Sequence, residues 1–477
     1  MQLFNLLALA ELPVFGQTYD ISLDWLGQFI QLLVSSVGVG VGIILFSLIL
    51  KVVVLPFDVF QRISMRKQNV KMKEQQEKME KLQKQYANNQ ELYNQKVMEM
   101  YKENGISMFS SCLPMILSMV IFFVAIGAFN AYAQYASVQS YNDLADAYNA
   151  KIESYCPDLD TATLSIDGDS IVVSSDSSYI YYTVNKGSFT SVTEEGIKEY
   201  IQSNEAIRTK KYFVSDKAAE IDAIGAAEDK AVAAKAYFQE QGQLAAAEAY
   251  EKTVSKKTDF LWIKNIWVTD ASYKHPLLPF SEFEAGLKNG GGCFGCFGGR
   301  NIFNVDGEKV VYNELETKTG TQVYKEDVYN IVTGKLDTAK SAPNGYFILI
   351  ALSIATILLQ QFVSMRSQKE QQKYSTVDGQ GASSQKMTMI MMTAMFAIFS
   401  FMYSAAFSIY LIVSNVFSLL STLVINKCVD SHMNKKSMEA VKTKMDNRGL
   451  SRIEAAKNAG KASAQASRSK KSDKDEK

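Results

Sequence analysis

The chain has 477 residues, with 50 Lys and Arg side chains against 50 Asp and Glu, and a formal net charge of zero. Two histidines leave little room for a histidine-based metal or acid–base site, and five scattered cysteines exclude a disulfide-dense secreted scaffold. The charges are nevertheless sorted along the chain. Residues 136–343 hold 31 acidic and 21 basic side chains, whereas the rest holds 19 acidic and 29 basic ones. A net-acidic segment therefore interrupts a net-basic chain.

The N-terminal segment, residues 1–24, is apolar up to Phe15. No basic residue precedes Glu11, whereas a cleaved signal peptide begins with positive charge. We therefore favour a short helix that lies in the outer membrane interface over a cleaved leader.

Four long stretches of the chain carry almost no charge. A bilayer core about 30 Å thick needs about 20 apolar helical residues to cross it. The last stretch, Met387 to Asn426, is 40 residues long and suffices for two crossings. We therefore predict an all-α polytopic membrane protein, in preference to a soluble protein with buried helices. The five predicted spans are residues 28–57, 108–132, 345–364, 387–403 and 405–426.

Basic side chains in the flanking segments predict the orientation. Residues 58–105 carry ten of them, residues 364–386 carry four, and the polar tail 428–477 with the preceding Lys427 carries fourteen. Five spans place these three segments on one side, which we predict to be cytoplasmic. The N-terminus and residues 136–343 then lie outside. The core consists of residues 25–135 and 344–427.

Residues 58–105 are predicted to form a cytoplasmic hairpin of two antiparallel helices. Strong helix formers fill the first half, Asn88-Asn89 marks a turn, and Gly105 ends the second helix. The sparse apolar positions either zip the two helices together or contact a partner. Four of them are methionines, which suit an adaptable surface, so we favour contact with a client or partner. They are Met65, Met72, Met79, Leu82, Leu92, Val97, Met98 and Tyr101.

The outer segment 136–343 is predicted to be an α+β extracytoplasmic insertion. Residues 162–184 alternate between apolar and polar types, which is typical of short strands. Residues 215–258 are rich in Ala, Glu and Lys without Pro, and predict a long helix or a helical pair.

A glycine-rich loop, residues 290–299, contains Cys293 and Cys296. The pair is interpreted as a loop disulfide or as free thiols. Half of a metal site is disfavoured, because no second Cys-x-x-Cys pair accompanies it.

Lys51 is the most informative residue of the spans, because it lies about 9 Å inside the predicted first span. A charge at that depth marks a functional site, or its ammonium reaches the interface along the lysine stem. Since the spans contain no Asp or Glu that pairs with it, we expect a hydrated cavity that opens toward the cytoplasm. The candidate polar neighbours are Ser47, Ser111, Ser118, Gln360, Gln361, Thr393, Ser400, Asn415, Ser418 and Ser421. Gly38, Gly40 and Gly42 are expected to permit close helix packing.

Several segments resemble the YidC/Oxa/Alb membrane protein insertases, although no single motif is specific. Lys51-Val-Val-Val-Leu-Pro56 is similar to the family's first core span, in which an Arg usually precedes the proline by five positions. Cys112-Leu-Pro114-Met resembles the second span, and Phe260-Leu-Trp-Ile263 with Asn265 and Asp270 resembles the segment before the third. Leu359-Gln-Gln361, Ser408-Ile-Tyr410 and Ser414-Asn-Val-Phe-Ser418 resemble parts of the third and fifth spans. We find no resemblance to the family in residues 137–257 and 281–343.

The resemblance implies a five-helix insertase core in the bacterial plasma membrane, with a hydrophilic groove that is closed outside and open to the cytoplasm and the lipid. It implies no enzyme activity, no cofactor, and no metal. The partners would be nascent membrane proteins, the ribosome, the Sec translocon and the lipid bilayer, but not DNA. The groove residues would be Lys51, Ser47, Ser118, Gln360, Thr393, Asn415 and Ser418, and the structural residues Pro56, Pro114 and Tyr410.

A secondary transporter or channel that uses Lys51 as an intramembrane charge is the alternative. The inverted repeats common in transporters are not visible in the sequence. The cytoplasmic hairpin also has no obvious role in transport. We therefore prefer the insertase.

Overall fold

A computed structural model of the chain is mostly helical. The described residues fall into segments along the whole chain. They are residues 8–12, 15–103, 109–154, 163–167, 170–175, 178–183, 193, 195–196, 211–215, 224, 226–228, 230–289, 301–319, 324–367 and 380–428. The predicted cysteine loop 290–299 and the tail beyond Cys428 lie outside these residues.

The first two helices meet at a glycine. Helix α1 (Trp25–Val37) begins after Asp24, whose side chain accepts a hydrogen bond of 2.7 Å from the Gly27 amide. It ends at Gly38, which has a φ of +86°, a conformation that side chains with a Cβ rarely adopt. Helix α2 (Val39–Gln85) follows directly. The predicted first span 28–57 is therefore divided at Gly38, which is a helix break and not a packing residue.

Helix α2 continues without interruption from the first apolar segment into the predicted hairpin, through Pro56. Its second half is antiparallel to helix α3 (Gln90–Glu103), as the contacts of Met79 with Met100 and Tyr101 require. The hydroxyl of Tyr101 donates to Sδ of Met79 at 3.2 Å. The cluster of Met79, Leu82, Val97, Met100 and Tyr101 thus joins the two helices. Leu92 and Met98 are exposed, so contact of these two with a client or partner stays a prediction. The side chains of Met65 and Met72 lie outside the described residues.

Helix α4 (Phe109–Glu153) extends well beyond the predicted second span and into the segment 136–343. A five-stranded antiparallel sheet follows, in the order β1-β5-β4-β3-β2. Its strands are β1 (Ala8–Leu12), β2 (Thr163–Asp167), β3 (Ser170–Ser175), β4 (Ser178–Thr183) and β5 (Lys211–Ser215). The strands predicted within residues 162–184 are confirmed.

Strand β1 contradicts the helix that was expected in the N-terminal segment. Ala10 lies opposite Phe213 in the β1–β5 ladder. Pairing with β5 satisfies backbone groups that a helix would have satisfied internally.

The segment 136–343 also contains a smaller hairpin and several helices. The helix predicted over residues 215–258 is observed from Lys230 onward, with a π-helical turn (Tyr250–Val254) between α5 and α6. The elements are α5 (Lys230–Ala249), α6 (Ser255–Thr258), α7 (Phe280–Asn289), β6 (Ile302–Val305), β7 (Glu308–Val311), α8 (Tyr312–Thr319), α9 (Glu326–Val332) and α10 (Asp337–Ser341).

Aromatic side chains form the core of this region. The rings of Tyr141 and Tyr329 stack at 4.9 Å, and Phe283 lies 5.2 Å from Tyr329. The hydroxyl of Tyr324 lies 2.8 Å from Oδ1 of Asn142. Burial raises the pKa of Tyr324, so its hydroxyl stays neutral and serves as both donor and acceptor.

The last three helices are α11 (Ile348–Ser367), α12 (Gln380–Met402) and α13 (Ala405–Cys428). Within the described residues, four segments are long and apolar enough to cross a membrane. These are Val39–Ser64, Val120–Glu153, Ile348–Arg366 and Ala405–Cys428. The apolar part of α12 among the searched residues, Thr393–Met402, is shorter.

The chain divides into two compact units. The first contains the described residues of Met1–Val52, Met115–Leu359 and Gln385–Val416. The second contains those of Val53–Pro114, Gln360–Ser384 and Phe417–Lys477. Several long helices contribute to both units.

Candidate functional site

Helix α2 has one buried face and one exposed apolar face. Ile43, Phe46 and Ser47 are fully buried. The exposed side chains are Ile49, Val52, Val53, Phe57 and Phe60. A contiguous apolar surface of this kind suits lipid better than water.

Lys51 follows Ser47 by one helical turn, on the same side of α2, and is half-buried. The hydroxyl of Ser47 donates to the carbonyl of Ile43 at 2.7 Å. Ser47 is thus a packing residue in the first unit, with no surface for a client to touch. Lys51, by contrast, is only partly buried, on the face of α2 that carries Ser47 and away from the exposed apolar face.

Asn415, on α13, is half-buried, and its Nδ2 has no hydrogen-bond partner among the described residues. A buried amide without a protein partner is costly unless water satisfies it. Thr393, on α12, is also half-buried. Lys51, Thr393 and Asn415 all belong to the first unit. The first unit therefore holds a cation, a hydroxyl and an amide at half-buried positions.

Tyr410 is buried in an aromatic cluster. Its ring lies 5.5 Å from that of Phe129 and stacks on Phe407 at 5.9 Å, and its side chain is hydrogen-bonded to Ser414. These contacts are those of a structural residue. Pro114 and Ser118 belong to α4, and their side chains lie outside the described part of the chain.

Gln360 and Ser418 belong to the second unit. Both are half-buried, and the carbonyl of Ser418 accepts a hydrogen bond of 2.6 Å from the hydroxyl of Thr422. The predicted groove residues are thus distributed over the two units.

Arg62 was not singled out from the sequence. Its guanidinium donates to Oδ1 of Asn426 at 2.9 Å and to the hydroxyl of Thr422. A half-buried guanidinium with two side-chain acceptors fixes α2 to α13 within the second unit. The only sequence signal was its four-residue spacing from Asp58 at the end of an apolar segment.

The segment that begins at Phe260 packs against α2. Phe260 and Ile263 exchange two backbone hydrogen bonds of 2.9 Å, which form a tight turn. The ring of Phe260 lies over Gly40, where a Cβ would approach it to 1.9 Å. The glycine is therefore required for this close contact, as the sequence led us to expect of this position.

A family model described as "60Kd inner membrane protein" matches residues 29–167 and 312–434, which is more than half of the chain. The chain belongs to this family. It is accordingly a multi-pass membrane protein of the 60Kd inner membrane protein family. The matched ranges include Lys51, Gln360, Thr393, Asn415 and Arg62, but not the segment from Phe260 to Asp270. They also include residues 137–167 and 312–343, so the expectation that these parts do not resemble the family was wrong.

Curated relatives support this family assignment, and each is named "Membrane protein insertase YidC". The protein of Clostridium perfringens is 35% identical over 130 residues, which cover 26% of this chain and 52% of the relative. The protein of Caldanaerobacter subterraneus subsp. tengcongensis is 32% identical over 98 residues, or 20% of this chain and 46% of the relative. The protein of Enterococcus faecalis is 31% identical over 97 residues, which cover 20% of this chain and 35% of the relative. The matched part of the chain thus spans about half or less of the length of each of these relatives. No solved structure matches it significantly.

Proposed function

We propose that the chain is a membrane protein insertase and chaperone, which inserts client proteins into the bacterial plasma membrane and assists their folding. The observation that carries this proposal is a half-buried cation, Lys51, on the inner side of an apolar helix in a chain of this family. The names of the bacterial relatives point to the same activity.

The proposed core has five spans, in which α12 is the fourth along the chain and is added to the four long apolar segments. Helix α12 is 23 residues long, and several of its side chains are apolar and exposed, as contact with lipid requires. These are Met387, Ile390, Met391, Ile398, Phe401 and Met402. The N-terminus would lie outside and the C-terminus in the cytoplasm, because the basic segments flank the cytoplasmic ends of the spans.

In the first unit, Lys51, Thr393 and Asn415 would line a hydrated groove. A polar client tail that enters a wet groove keeps its hydrogen bonds, so the free-energy cost of its desolvation is reduced. The ammonium of Lys51 would attract acidic residues of the tail, while the client's apolar segment passes into the lipid. No covalent step and no cofactor is required. Gln360, Ser118 and Ser418 stay predictions for further groove residues.

The proposed partners are nascent membrane proteins, the ribosome and the Sec translocon. The basic tail 428–477 would assist ribosome binding, because RNA phosphates attract clustered Lys and Arg side chains.

The test uses the full chain reconstituted in lipid vesicles with a single-span client that has a short acidic N-terminal tail. We expect Lys51→Ala to reduce the protease-protected fraction of the client, and Lys51→Arg to retain it, because the charge persists. Lys78→Ala, which removes an exposed lysine of α2, is the matched control. Wild-type insertion by Lys51→Ala would refute the role of the cation. A client-independent ion current that depends on Lys51 would favour the channel instead.

A further inference from the structure

A cleft runs along one face of helix α1 in the first unit, between this helix, the segment that precedes it and α4. Its volume is about 510 Å³, within the roughly 300–1,000 Å³ that is typical of small-molecule sites. The residues of α1 that line it are spaced by three and four positions, which places them on one face of the helix. They are Gln28, Gln31, Leu32 and Ser35. The lining of this α1 cleft is completed by Ile21, Leu23 and Tyr135.

The α1 cleft lies beside the start of a helix that is long and apolar enough to cross a membrane. Helix α1 ends at Gly38, and the apolar segment Val39–Ser64 follows directly. Trp25, Leu32 and Val37 of α1 are exposed. Tryptophan and apolar side chains next to the end of a span suit the headgroup level of a bilayer. We therefore expect lipid headgroups to be the molecules that reach the cleft.

The polar groups of the α1 cleft are uncharged and keep hydrogen-bonding capacity. Nε2 of Gln31 donates to the hydroxyl of Tyr135 at 2.8 Å, and Nε2 of Gln28 donates to the carbonyl of Leu23 at 3.1 Å. Among the described residues, each of these glutamines thus keeps one N–H and its side-chain oxygen for a ligand. The hydroxyl of Ser35 donates to a backbone carbonyl at 3.1 Å, which leaves its oxygen as an acceptor. A sugar hydroxyl, which is both donor and acceptor, is complementary to such a mixed set.

The charges around the α1 cleft disfavour a lipid phosphate. None of the described residues that line it is charged. Asp20 and Asp143 act electrostatically on Tyr135, and both are acidic. Asp143 forms an ion pair of 2.7 Å with Lys257, so this cation is already engaged. A phosphate would lose hydration in the cleft without gaining a cation, whereas an uncharged headgroup has no such cost.

We propose that the α1 cleft binds a membrane lipid with an uncharged sugar headgroup, of the diglucosyl diacylglycerol type. The sugar hydroxyls bond to Gln28, Gln31 and Ser35, while Ile21 and Leu23 contact the glycerol and the first acyl carbons. The bound lipid connects α1 to the bilayer beside the first span. The proposal does not rest on client insertion, since it requires only the membrane location that the family assignment shows.

The test uses the full chain in a detergent without a sugar headgroup, because a glucoside or maltoside detergent would itself occupy the cleft. Native mass spectrometry counts the lipids retained after addition of diglucosyl diacylglycerol, phosphatidylglycerol or phosphatidylethanolamine. We expect one diglucosyl lipid per chain, retained at concentrations about tenfold lower than either phospholipid, because a phosphate finds no cation in the cleft. Maltose, the soluble sugar of the same kind, should not displace the lipid.

Two adjacent serines provide a matched pair of variants. The hydroxyls of Ser35 and Ser36 both donate to the carbonyl of Leu32, but of the two only Ser35 lines the cleft. We expect Ser35→Ala and Gln28→Leu each to weaken retention of the diglucosyl lipid about fivefold, because hydrogen bonds to the headgroup are lost. Ser36→Ala should retain the lipid as the wild type does.

Equal retention of the diglucosyl lipid and either phospholipid by the wild type would overturn the sugar headgroup as the ligand. Unchanged retention in both Ser35→Ala and Gln28→Leu would overturn the cleft as the site, and displacement by maltose would overturn a lipid as its occupant. If the variants do not fold, hydrogen exchange of the wild-type chain decides the case. The amides of residues 28–35 must exchange more slowly with the diglucosyl lipid than with phosphatidylglycerol, and equal rates would contradict the proposal.

Discussion

Nη1 of Arg62, on α2, donates a hydrogen bond of 2.9 Å to Oδ1 of Asn426, on α13, although the two residues are 364 positions apart in the chain. The same guanidinium also donates to Thr422. Since hydrogen bonds to charged groups contribute about 1.5–3 kcal/mol each, we expect Arg62→Gln to loosen the last turns of α13. Hydrogen exchange of residues 422–428 should become about tenfold faster.

Arg62→Lys separates charge from geometry. A lysine carries the same charge but lacks the planar fork that reaches two acceptors, so we expect an intermediate exchange rate. Lys78→Gln is the control, because Lys78 is exposed on the same helix. Wild-type exchange of residues 422–428 in Arg62→Gln would show that the guanidinium does not hold these helices together.

Helices and strands were predictable where the residues that stabilise them are close together in the sequence. The spans near residues 348–366 and 405–428 follow from an uninterrupted run of apolar residues, which hydropathy reports directly. The strands within residues 162–184 follow from alternation of apolar and polar residues along adjacent segments. In both cases the residues that cause the structure are neighbours in the sequence.

Elements that depend on distant partners were not predictable in this way. The apolar start of the chain forms strand β1 because β5, about 200 residues later, pairs with it. The helix break at Gly38 depends on the positive φ angle of that residue, and no neighbouring charge or proline indicates it in the sequence. The role of Arg62 requires acceptors 360 or more residues away, which composition and spacing do not reveal.

Asn415 provides a test of hydration inside the first unit. Its Nδ2 is buried without a partner among the described residues, so Asn415→Leu removes a polar group that the proposed groove would satisfy with water. We expect the free energy of unfolding to stay within about 1 kcal/mol of the wild type or to rise. Insertion of a client with a polar tail should nevertheless decrease, because the groove holds less water.

The two readouts for Asn415 are thermal unfolding in detergent and protease protection of the client. Val416→Leu is the neighbouring control, since Val416 is 43% exposed. A strongly destabilised Asn415→Leu would indicate a protein partner for the amide. Unchanged insertion would show that hydration at this position does not serve the client.

The contact between Tyr101 and Met79 predicts how the hairpin of α2 and α3 opens. Tyr101 is 7% exposed, and burial raises the pKa of its hydroxyl. The closed hairpin therefore prefers the neutral phenol, and its stability should hold below pH about 10 and decrease as the pH rises above that ordinary value. Tyr101→Phe should abolish this alkaline loosening with a loss below about 1 kcal/mol, because a thioether is a weak acceptor. Tyr101→Ala should lose about 3 kcal/mol through the cavity it leaves.

Hydrogen exchange of α3 as a function of pH, corrected for the intrinsic exchange rate, measures both effects on the hairpin. Met98→Ala serves as the control, because Met98 is 56% exposed and lies on the same helix without entering the cluster around Met79. An alkaline loosening that persists in Tyr101→Phe would assign it to another group. Equal exchange rates in Tyr101→Ala and the wild type would mean that contacts other than this cluster hold the two helices together. The surface formed by Met79, Met100 and Tyr101 would then be available to a client.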